Sequence, residues 1–294
     1  MDSERKGIIL AGGNGTRLAP ITFSISKQLM PVYDKPMIYY PLSTLMLSGI
    51  REILIITNPK EKPNFENLLG NGSKFGISIT YKIQPKPRGL AEAFILGEKF
   101  LGNSSSALIL GDNLFHGNEL IEKLKNANKN KEGATIFAYH VSNPKNYGVI
   151  SFSPNGEPKE IIEKPPKPKS NFAITGLYFY DEKVIEFAKE VRPSKRNELE
   201  ISTINEIYLQ NKSLNVQVMG RGMTWLDTGT FDSLHQASSY IRTLEMRQGL
   251  KVGCPEEIAW RNGWINDQKL YDLAIDLSSS GYGDYLINIL KNNF

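Results

Sequence analysis

Short apolar runs alternate with helical patterns through the first half of the chain. Strands are predicted over residues 7–11, 52–57, 78–83 and 107–110. Helices are predicted over 37–48, 89–101 and 118–128, and a further strand over 134–140. Continuous apolar strands that are separated by helices indicate a parallel sheet covered on both faces. The first half is therefore predicted to be an α/β structure whose strands run mainly parallel.

The pattern changes in the middle of the chain. A Pro-Asn-Gly turn at 154–156 separates strand-like runs over 147–152 and 159–162, which favours a β-hairpin. The proline-rich segment 165–169 fits neither a helix nor a central strand. Strands are predicted over 173–180, 214–219 and 223–226. Residues 140–225 are thus predicted to form antiparallel or mixed structure inserted on the parallel core.

Helical spacing returns near the end of the chain. A helix is predicted over 231–248. Farther along, Leu270, Leu273, Ala274 and Leu277 recur at i, i+3, i+4 and i+7, which is typical of an amphipathic helix.

Composition excludes several classes of protein. The chain has 294 residues, of which 40% are hydrophobic and 22% charged, and this balance argues against disorder. A net charge of +4 is too dilute to predict binding of nucleic acid. One cysteine excludes an intrachain disulfide, and no apolar run approaches the length of about 18 residues that spans a membrane. Because the charged start does not resemble a signal peptide, we expect a cytoplasmic globular protein.

A glycine-rich loop over residues 10–18, LAGGNGTRL, follows the first predicted strand. Glycines let the backbone approach a ligand and direct its N–H groups inward, and open α/β sheets bind ligands at the carboxyl ends of their strands. The loop is not a P-loop, because no Lys-Ser/Thr pair follows the glycines. It is not the dinucleotide fingerprint either, because Leu18 occupies the third small position. A glycine turn without a ligand remains the alternative.

Charged residues near this loop favour a phosphate ligand. Arg17 can clamp phosphate oxygens with its planar guanidinium, and Lys27 can act as a point charge. Asp112 and Asp227 each follow an apolar strand, and magnesium takes one or two carboxylates together with substrate phosphates. The alternative for Lys27 is a solvated surface lysine, and for the aspartates a turn residue and a helix cap.

The dipeptide Glu163-Lys164 precedes the proline-rich loop. A glutamate can accept hydrogen bonds from sugar hydroxyls, and a neighbouring lysine can hold a phosphate. Exposed charge pairs of this kind are common, so a simple surface pair is the alternative.

Nine segments together resemble the glucose-1-phosphate thymidylyltransferases, in order and over nearly the whole chain. They are the run 7–57 from GIILAGGNGTRL to EILIIT, QPKPRGLAEAF, LGDNLFHG, NYGVISF, EKP, ITGLYFYD, ELEISTIN, TWLDTGT and CPEEIAWRNGWI. The resemblance implies a Rossmann-like core of the nucleotide-diphospho-sugar transferase type, with a mixed, mainly parallel sheet flanked by helices. It also implies the conversion of dTTP and glucose 1-phosphate to dTDP-glucose and pyrophosphate, which supplies dTDP-rhamnose and other deoxysugars.

The resemblance assigns roles to individual residues. The catalytic residues would be Arg17, Lys27, Asp112, Lys164 and Asp227, and the two aspartates would hold Mg²⁺. Nucleotide binding would involve Leu10, Ala11, Gly12, Gly13, Gly15, Thr16, Arg17, Gln28, Gln84, Pro87, Gly89 and Asp112, with the Gln84 amide pairing with the base. Sugar phosphate binding would involve Asn113, Tyr147, Gly148, Glu163, Lys164, Ile174 and Tyr178.

The resemblance also implies regulation and assembly. It divides the chain into a nucleotidyltransferase core over 1–240, which contains the sugar-phosphate region 140–225, and a helical C-terminal segment over 241–294. This segment is expected to serve a homotetramer and a second nucleotide site, formed by Gly117, Arg221, Lys251, Glu257 and Arg261. Some positions depart from the common family pattern, namely Arg88, Glu92, His116, Asn118 and Thr203.

Three alternatives stay open at this stage. The same chemistry could use UTP, CTP or another sugar 1-phosphate. A non-catalytic nucleotide-sugar sensor would retain the pocket, although it has no need of the cations that stabilise a leaving group. A nicotinamide-dependent dehydrogenase is disfavoured by the missing third glycine.

Overall fold

A computed structural model describes residues 4–292. Residues 1–3 of the predicted core and residues 293–294 of the predicted C-terminal segment lie outside the described residues. The strands are β1 (Lys6–Ala11), β2 (Pro31–Val32), β3 (Lys35–Pro36), β4 (Glu52–Thr57), β5 (Ser78–Ile83), β6 (Ser106–Leu110), β7 (Asn113–His116), β8 (Ala134–His140), β9 (Gly148–Phe152), β10 (Pro158–Glu163), β11 (Phe172–Tyr180), β12 (Leu214–Met219) and β13 (Thr224–Asp227). The helices are α1 (Tyr39–Leu47), α2 (Lys62–Leu69), α3 (Glu92–Leu101), α4 (Leu120–Lys129), α5 (Val184–Glu190), α6 (Ile201–Gln210), α7 (Phe231–Gln248), α8 (Pro255–Arg261), α9 (Asp267–Asp276) and α10 (Gly281–Asn292).

The parallel half of the sheet confirms the prediction from the hydrophobic pattern. Strand β1 pairs in parallel with β4 on one side and β6 on the other, and β4 pairs in parallel with β5. The continuous apolar sequences of β1 and β4 fit because both faces of the sheet are covered there: Ile9 and Ile55 belong to one hydrophobic cluster, and Ile8 and Leu54 to another. The edge strand β5 instead alternates apolar and polar residues. The carboxyl ends of β5, β4, β1 and β6 consequently share one edge of the sheet.

The inserted region is mixed, as predicted. Strand β11 runs antiparallel to β6 and to β8, whereas β12 runs parallel to β8. The hairpin of β9 and β10 joins the sheet where β9 pairs with the start of β11. The register of β11 against β8 shifts between Ile174 and Tyr178, and such a bulge redirects the strand and its side chains. This shift lies beside the carboxyl end of β6.

A short antiparallel ribbon of β7 and β13 lies next to that edge. Its register places Asp227 opposite Asn113, so two segments more than a hundred residues apart meet immediately after β6. Hydrogen bonds from the backbone N–H and the hydroxyl of Thr228 to the Asp112 carbonyl, at 3.2 and 3.0 Å, hold them together. Strand β7 was absent from the sequence prediction.

The C-terminal helices pack on the same core as the sheet. Ile258, Leu270 and Leu286 belong to the hydrophobic cluster that contains Ile9. Helix α7 has the predicted bounds and runs through residue 240, where the sequence analysis placed the boundary between core and C-terminal segment. The predicted amphipathic helix is α9, which ends at Asp276 with Leu277 as its C-cap. Among the described residues, no helix is both long enough and apolar enough to cross a membrane.

Candidate active site

The glycine-rich loop begins directly after β1 and is closely packed. A Cβ on Gly12 would lie 2.3 Å from Gln84 Oε1, so only glycine allows the end of β5 to approach here. Gly15 has a φ of 59°, and a Cβ there would lie 2.9 Å from Thr22. The Thr22 hydroxyl donates to the Gly15 carbonyl at 3.0 Å. Of the predicted loop residues, Leu10 and Ala11 end strand β1, and Gly12, Gly13, Gly15 and Thr16 follow it in the turn at the sheet edge.

The four predicted charged groups meet at this turn. Lys27 is buried, and its ammonium group pairs with the Asp112 carboxylate. Arg17 lies against the backbone of Gly229, since a Cβ there would lie 2.8 Å from Arg17 Nη2. Asp227 is two residues before that glycine. Arg17, Lys27, Asp112 and Asp227 thus converge, as the sequence analysis required.

The two aspartates are close enough to perturb each other. Burial and the Asp112 carboxylate raise the pKa of Asp227, whereas Lys27, Arg17 and the Gly229 N–H oppose that shift. Two neighbouring carboxylates offer the oxygen ligands that a divalent cation such as Mg²⁺ takes together with substrate phosphates. Within residues 4–292 no group of three or more acidic, histidine or cysteine side chains could hold a metal by itself. A metal here would need substrate oxygens to complete its coordination.

Gln84 follows β5 and is buried beside the glycine loop. Its backbone N–H donates to the Thr57 carbonyl at 2.8 Å, and its side-chain Nε2 donates to Glu92 at 2.7 Å. Pro87 is exposed in the segment that leads to Gly89, whose φ of 108° and contact with the Leu199 backbone require glycine. The predicted base-binding residues therefore lie together at one end of the cleft.

Two predicted binding residues have their side chains engaged within the protein. Asn113 Oδ1 accepts from the Gly176 N–H at 3.1 Å and from Trp225 Nε1 at 2.6 Å, while its Nδ2 donates to Asp112 at 2.9 Å. Its structural task is to hold Asp112 against the bulge of β11. The buried Gln28 accepts from the Ser26 hydroxyl at 2.8 Å.

The predicted sugar site forms where β9, β10 and β11 meet the sheet edge. A Cβ on Gly148 would lie 3.3 Å from Glu163 and 3.8 Å from Ile174, so these three residues are neighbours. Burial and Glu200 raise the pKa of Glu163, whereas Lys164, Ser202 and Arg196 oppose that shift. Tyr178 is buried, and burial together with Glu163 raises its pKa.

Tyr147 connects the sugar end of the cleft to the aspartates. Its ring packs on Trp225 with the centroids 5.1 Å apart. Burial raises its pKa, as does the nearby carboxylate of Asp227. The same tryptophan donates to Asn113, so a chain of contacts joins the two ends of the site.

Lys164 is exposed at the mouth of the cleft, with a φ of 42° and its ammonium 3.9 Å from Glu163. Arg196, which the sequence analysis missed, lies in the loop before α6 and contacts Glu163 at 3.1 Å and Glu200 at 2.7 Å. It therefore adds a second cation to the sugar end. The sequence carries no local pattern around Arg196 that would have identified it.

A second cavity of about 420 Å³ lies between α1, α4 and the C-terminal helices. Gly117, Lys251, Glu257 and Arg261, which were predicted as a regulatory set, line it. The fifth member, Arg221, is exposed in the adjoining turn, next to the Gly222 carbonyl that packs against Gly117. His116 lines the same cavity; its Nδ1 lies 3.1 Å from the Tyr240 hydroxyl, and burial lowers its pKa.

Comparison with known proteins agrees with this geometry. A family model described as Nucleotidyl transferase matches residues 6–243. The glucose-1-phosphate thymidylyltransferase of Neisseria meningitidis is 57% identical over 97% of this chain and 99% of its own length. The protein of the same name from Mycobacterium tuberculosis is 55% identical over 98% of this chain and all of its own.

Solved structures show the same architecture. A crystal structure assigned as a glucose-1-phosphate thymidylyltransferase from Bacillus anthracis superposes with a TM-score of 0.74 at 42% identity, covering 81% of this chain and 95% of that one. A UDP-glucose pyrophosphorylase complexed with UDP-glucose superposes with a TM-score of 0.70 at 26% identity, covering 82% of this chain and all of that one. The predicted Rossmann-like fold is therefore confirmed, and the dehydrogenase alternative is disfavoured. The chain belongs to the glucose-1-phosphate thymidylyltransferase family of nucleotidyltransferases.

Proposed function

We propose that the protein transfers the thymidylyl group of dTTP to glucose 1-phosphate, giving dTDP-glucose and pyrophosphate. The observation that carries this proposal is the meeting of Arg17, Lys27 and two aspartates between a base end and a sugar end of one cleft. A sensor needs affinity for a nucleotide-sugar but not cations placed where a pyrophosphate departs. The arrangement therefore favours an enzyme over a binding protein.

In this mechanism an oxygen of the glucose 1-phosphate attacks the α-phosphorus of dTTP in line. A phosphorus–oxygen bond forms to the sugar phosphate, and the bond between the α-phosphorus and the bridging oxygen breaks. Pyrophosphate leaves with the electron pair. Arg17 and the N–H groups of the glycine loop would stabilise its charge, while Lys164 and Arg196 align the attacking phosphate. Positioning and electrostatics suffice, so no covalent enzyme intermediate is required.

Asp112 and Asp227 would hold a magnesium ion in this scheme. The fit rests on the closeness of the two carboxylates, since burial and then the charge of Asp112 raise the pKa of Asp227. When bound, magnesium would neutralise charge on the triphosphate as the substrate oxygens complete its coordination. Lys27 pairs with the Asp112 carboxylate and so adds a positive charge next to this ion.

At the sugar end, the partly buried carboxyl of Glu163 would accept hydrogen bonds from glucose hydroxyls. Gly148 leaves space for the glucose ring, because any larger residue would place a Cβ 3.3 Å from Glu163 and 3.8 Å from Ile174. Tyr147, whose pKa the nearby Asp227 helps to raise, would close the ring side of the pocket next to the reacting phosphates.

A turnover panel tests the proposal. Pyrophosphate release would be measured for dTTP, UTP and dCTP, each with glucose 1-phosphate and galactose 1-phosphate, with and without magnesium. The proposal expects the highest kcat/KM with dTTP and glucose 1-phosphate and no turnover without a divalent ion. Tight nucleotide binding without pyrophosphate release from any pair would instead support a sensor.

We also propose that the second cavity binds a regulatory nucleotide. Its lining combines the cations Lys251 and Arg261 with apolar side chains such as Leu47 and Ile258, a mixture that suits a phosphorylated ligand with a ring system. Calorimetry with dTDP should then show two sites per chain. A stoichiometry of one would contradict this assignment.

Assembly as a homotetramer is the remaining part of the proposal. Helix α9 and its C-cap expose the apolar side chains Tyr271, Ile275 and Leu277. Light scattering of the purified protein is expected to give four times the chain mass, and a mass equal to that of one chain would exclude assembly.

A further inference from the structure

The side-chain amide of Gln84 is held from two sides. It is only 2% exposed, at the end of β5. Its Nε2 lies 2.7 Å from Oε2 of Glu92, the first residue of α3. Its Oε1 faces the opposite way, and lies over Gly12 so closely that a Cβ there would be 2.3 Å away.

Chemistry makes this orientation unambiguous. An amide side chain has a donor end and an acceptor end, and the two are similar in shape. A carboxylate offers only acceptor oxygens, so Glu92 can pair with the NH₂ end of Gln84 and not with its carbonyl. The side-chain carbonyl of Gln84 is consequently fixed toward Gly12 of the glycine-rich loop. Reversing the amide would set two oxygens against each other in a site with little exposure to water.

Glu92 is itself well placed to exert this control. Its side chain is 13% exposed and belongs to the first turn of a helix, where an acidic group is favoured by the helix dipole. The residue before it, Ala91, donates its N–H to the Leu199 carbonyl at 3.1 Å, which anchors the start of the helix. Arg88 Nε lies 4.0 Å from Oε1, the other carboxylate oxygen of Glu92. Because the Arg88 side chain is 70% exposed, it competes only weakly with Gln84 for this carboxylate.

We propose that Glu92 is a positioning residue that sets base selectivity by fixing the carbonyl of Gln84 toward the bound base. The inference rests on the proposed function, in which Gln84 pairs with the base. A fixed acceptor matches the N3–H of thymine or uracil. Cytosine carries a lone pair at N3, so two acceptors would face each other when it binds in the same register.

The Glu92→Gln variant tests this directly. A glutamine at 92 can donate or accept, so both amides can reverse together and present a donor to the base. The ratio of kcat/KM for dTTP over dCTP is expected to fall about tenfold, mainly through the KM values. Damage to the fold would lower kcat/KM for dTTP and for dCTP alike, so their ratio would not change. The matched control is Glu98→Gln on the same helix, whose carboxylate pairs with Lys189 at the surface and should leave the ratio unchanged.

Two outcomes would overturn the inference: an unchanged ratio in Glu92→Gln, or equal kcat/KM for the two triphosphates in the native protein. The Gln84→Ala variant separates this failure from failure of the proposed function. If Gln84→Ala removes the preference for dTTP while Glu92→Gln does not, the base site stands and Glu92 does not control it. If the native protein releases no pyrophosphate from either triphosphate, the proposed function fails as well.

Discussion

The nucleotide half and the sugar half of the cleft are built in different ways. The nucleotide half is formed by Gly12, Lys27, Gln84 and Asp112, three of which follow directly on parallel strands β1, β5 and β6. The sugar half is formed by the β9–β10 hairpin, the start of β11 and the loop that carries Arg196. Neighbouring strands position the first half, whereas long-range contacts between separate segments position the second.

This difference has a physical consequence. In the nucleotide half, Lys27 and Gln84 are buried and paired, Lys27 with Asp112 and Gln84 with Glu92, so small changes there should meet rigid neighbours. In the sugar half, the cations Lys164 and Arg196 are exposed. Substitutions should therefore cost more in the nucleotide half than in the sugar half.

The largest effect is expected for Asp112→Asn. This change removes one of the two carboxylates and the partner of Lys27, yet it preserves shape and the contact with Asn113. Turnover should fall by about 10² to 10³-fold, the loss typical of removing one group that stabilises charge in the transition state. Steady-state pyrophosphate release measures it, with Asp272→Asn on the exposed face of α9 as the control. Near-normal turnover would show that the nucleotide half does not depend on this carboxylate.

Next in size is Arg196→Met in the sugar half. Loss of a cation that aligns the sugar phosphate should raise the KM for glucose 1-phosphate by about tenfold, as charge-assisted hydrogen bonds contribute on this scale. The KM for dTTP should stay the same. Arg242→Met, on the exposed surface of α7, serves as the matched control. An equal rise in both KM values would mean that the two halves are not separable.

Glycine substitutions compare the rigidity of the two halves. Gly12→Ala places a methyl group 2.3 Å from Gln84, and should raise the KM for dTTP severalfold because the amide must move. In Gly148→Ala the new methyl group would lie 3.3 Å from the end of the Glu163 side chain. Its effect on the KM for glucose 1-phosphate should therefore be smaller than the effect of Gly12→Ala on the KM for dTTP. Gly220→Ala, which meets open space, is the control. A larger effect at Gly148 would reverse the comparison.

The smallest effect concerns stability and pH. Burial and Glu200 raise the pKa of Glu163 above its ordinary value of 4.5. The folded protein therefore binds this proton more tightly than the unfolded chain, so the stabilisation is present below pH 4.5 and is lost as the pH rises through the folded value. Glu163→Gln, which resembles the protonated form, should gain stability relative to the native protein as the pH rises through that range. Urea unfolding at a series of pH values checks it, and a constant difference between the two proteins would contradict it.

The same contrast explains what the sequence could predict. Continuous apolar runs predicted β1, β4 and β6, and an alternating pattern predicted β5. Strand ends located Gly12 and Asp112, because parallel strands present their carboxyl ends at one edge. The apolar strand before Asp227 also located that residue, but the β7–β13 ribbon through which it reaches Asp112 was not predicted. A pairing between segments so far apart leaves no local periodicity to detect.

Other features were beyond local patterns. Arg196 sits in a loop and becomes part of the site through contacts with Glu163 and Glu200. Asn113 resembles a ligand-binding residue in sequence, yet its amide is engaged by Gly176, Trp225 and Asp112. Helices α5 and α6 were also missed, since their burial depends on the mixed part of the sheet.

Direct transfer between the two halves can be tested by stereochemistry. The protein would be given glucose 1-phosphate and dTTP that carries sulfur at the α-phosphorus in one known configuration, and the configuration of the nucleotide-sugar product would be determined. A single in-line displacement predicts inversion at that phosphorus. Retention would require two displacements and an enzyme-bound intermediate, and would contradict the account.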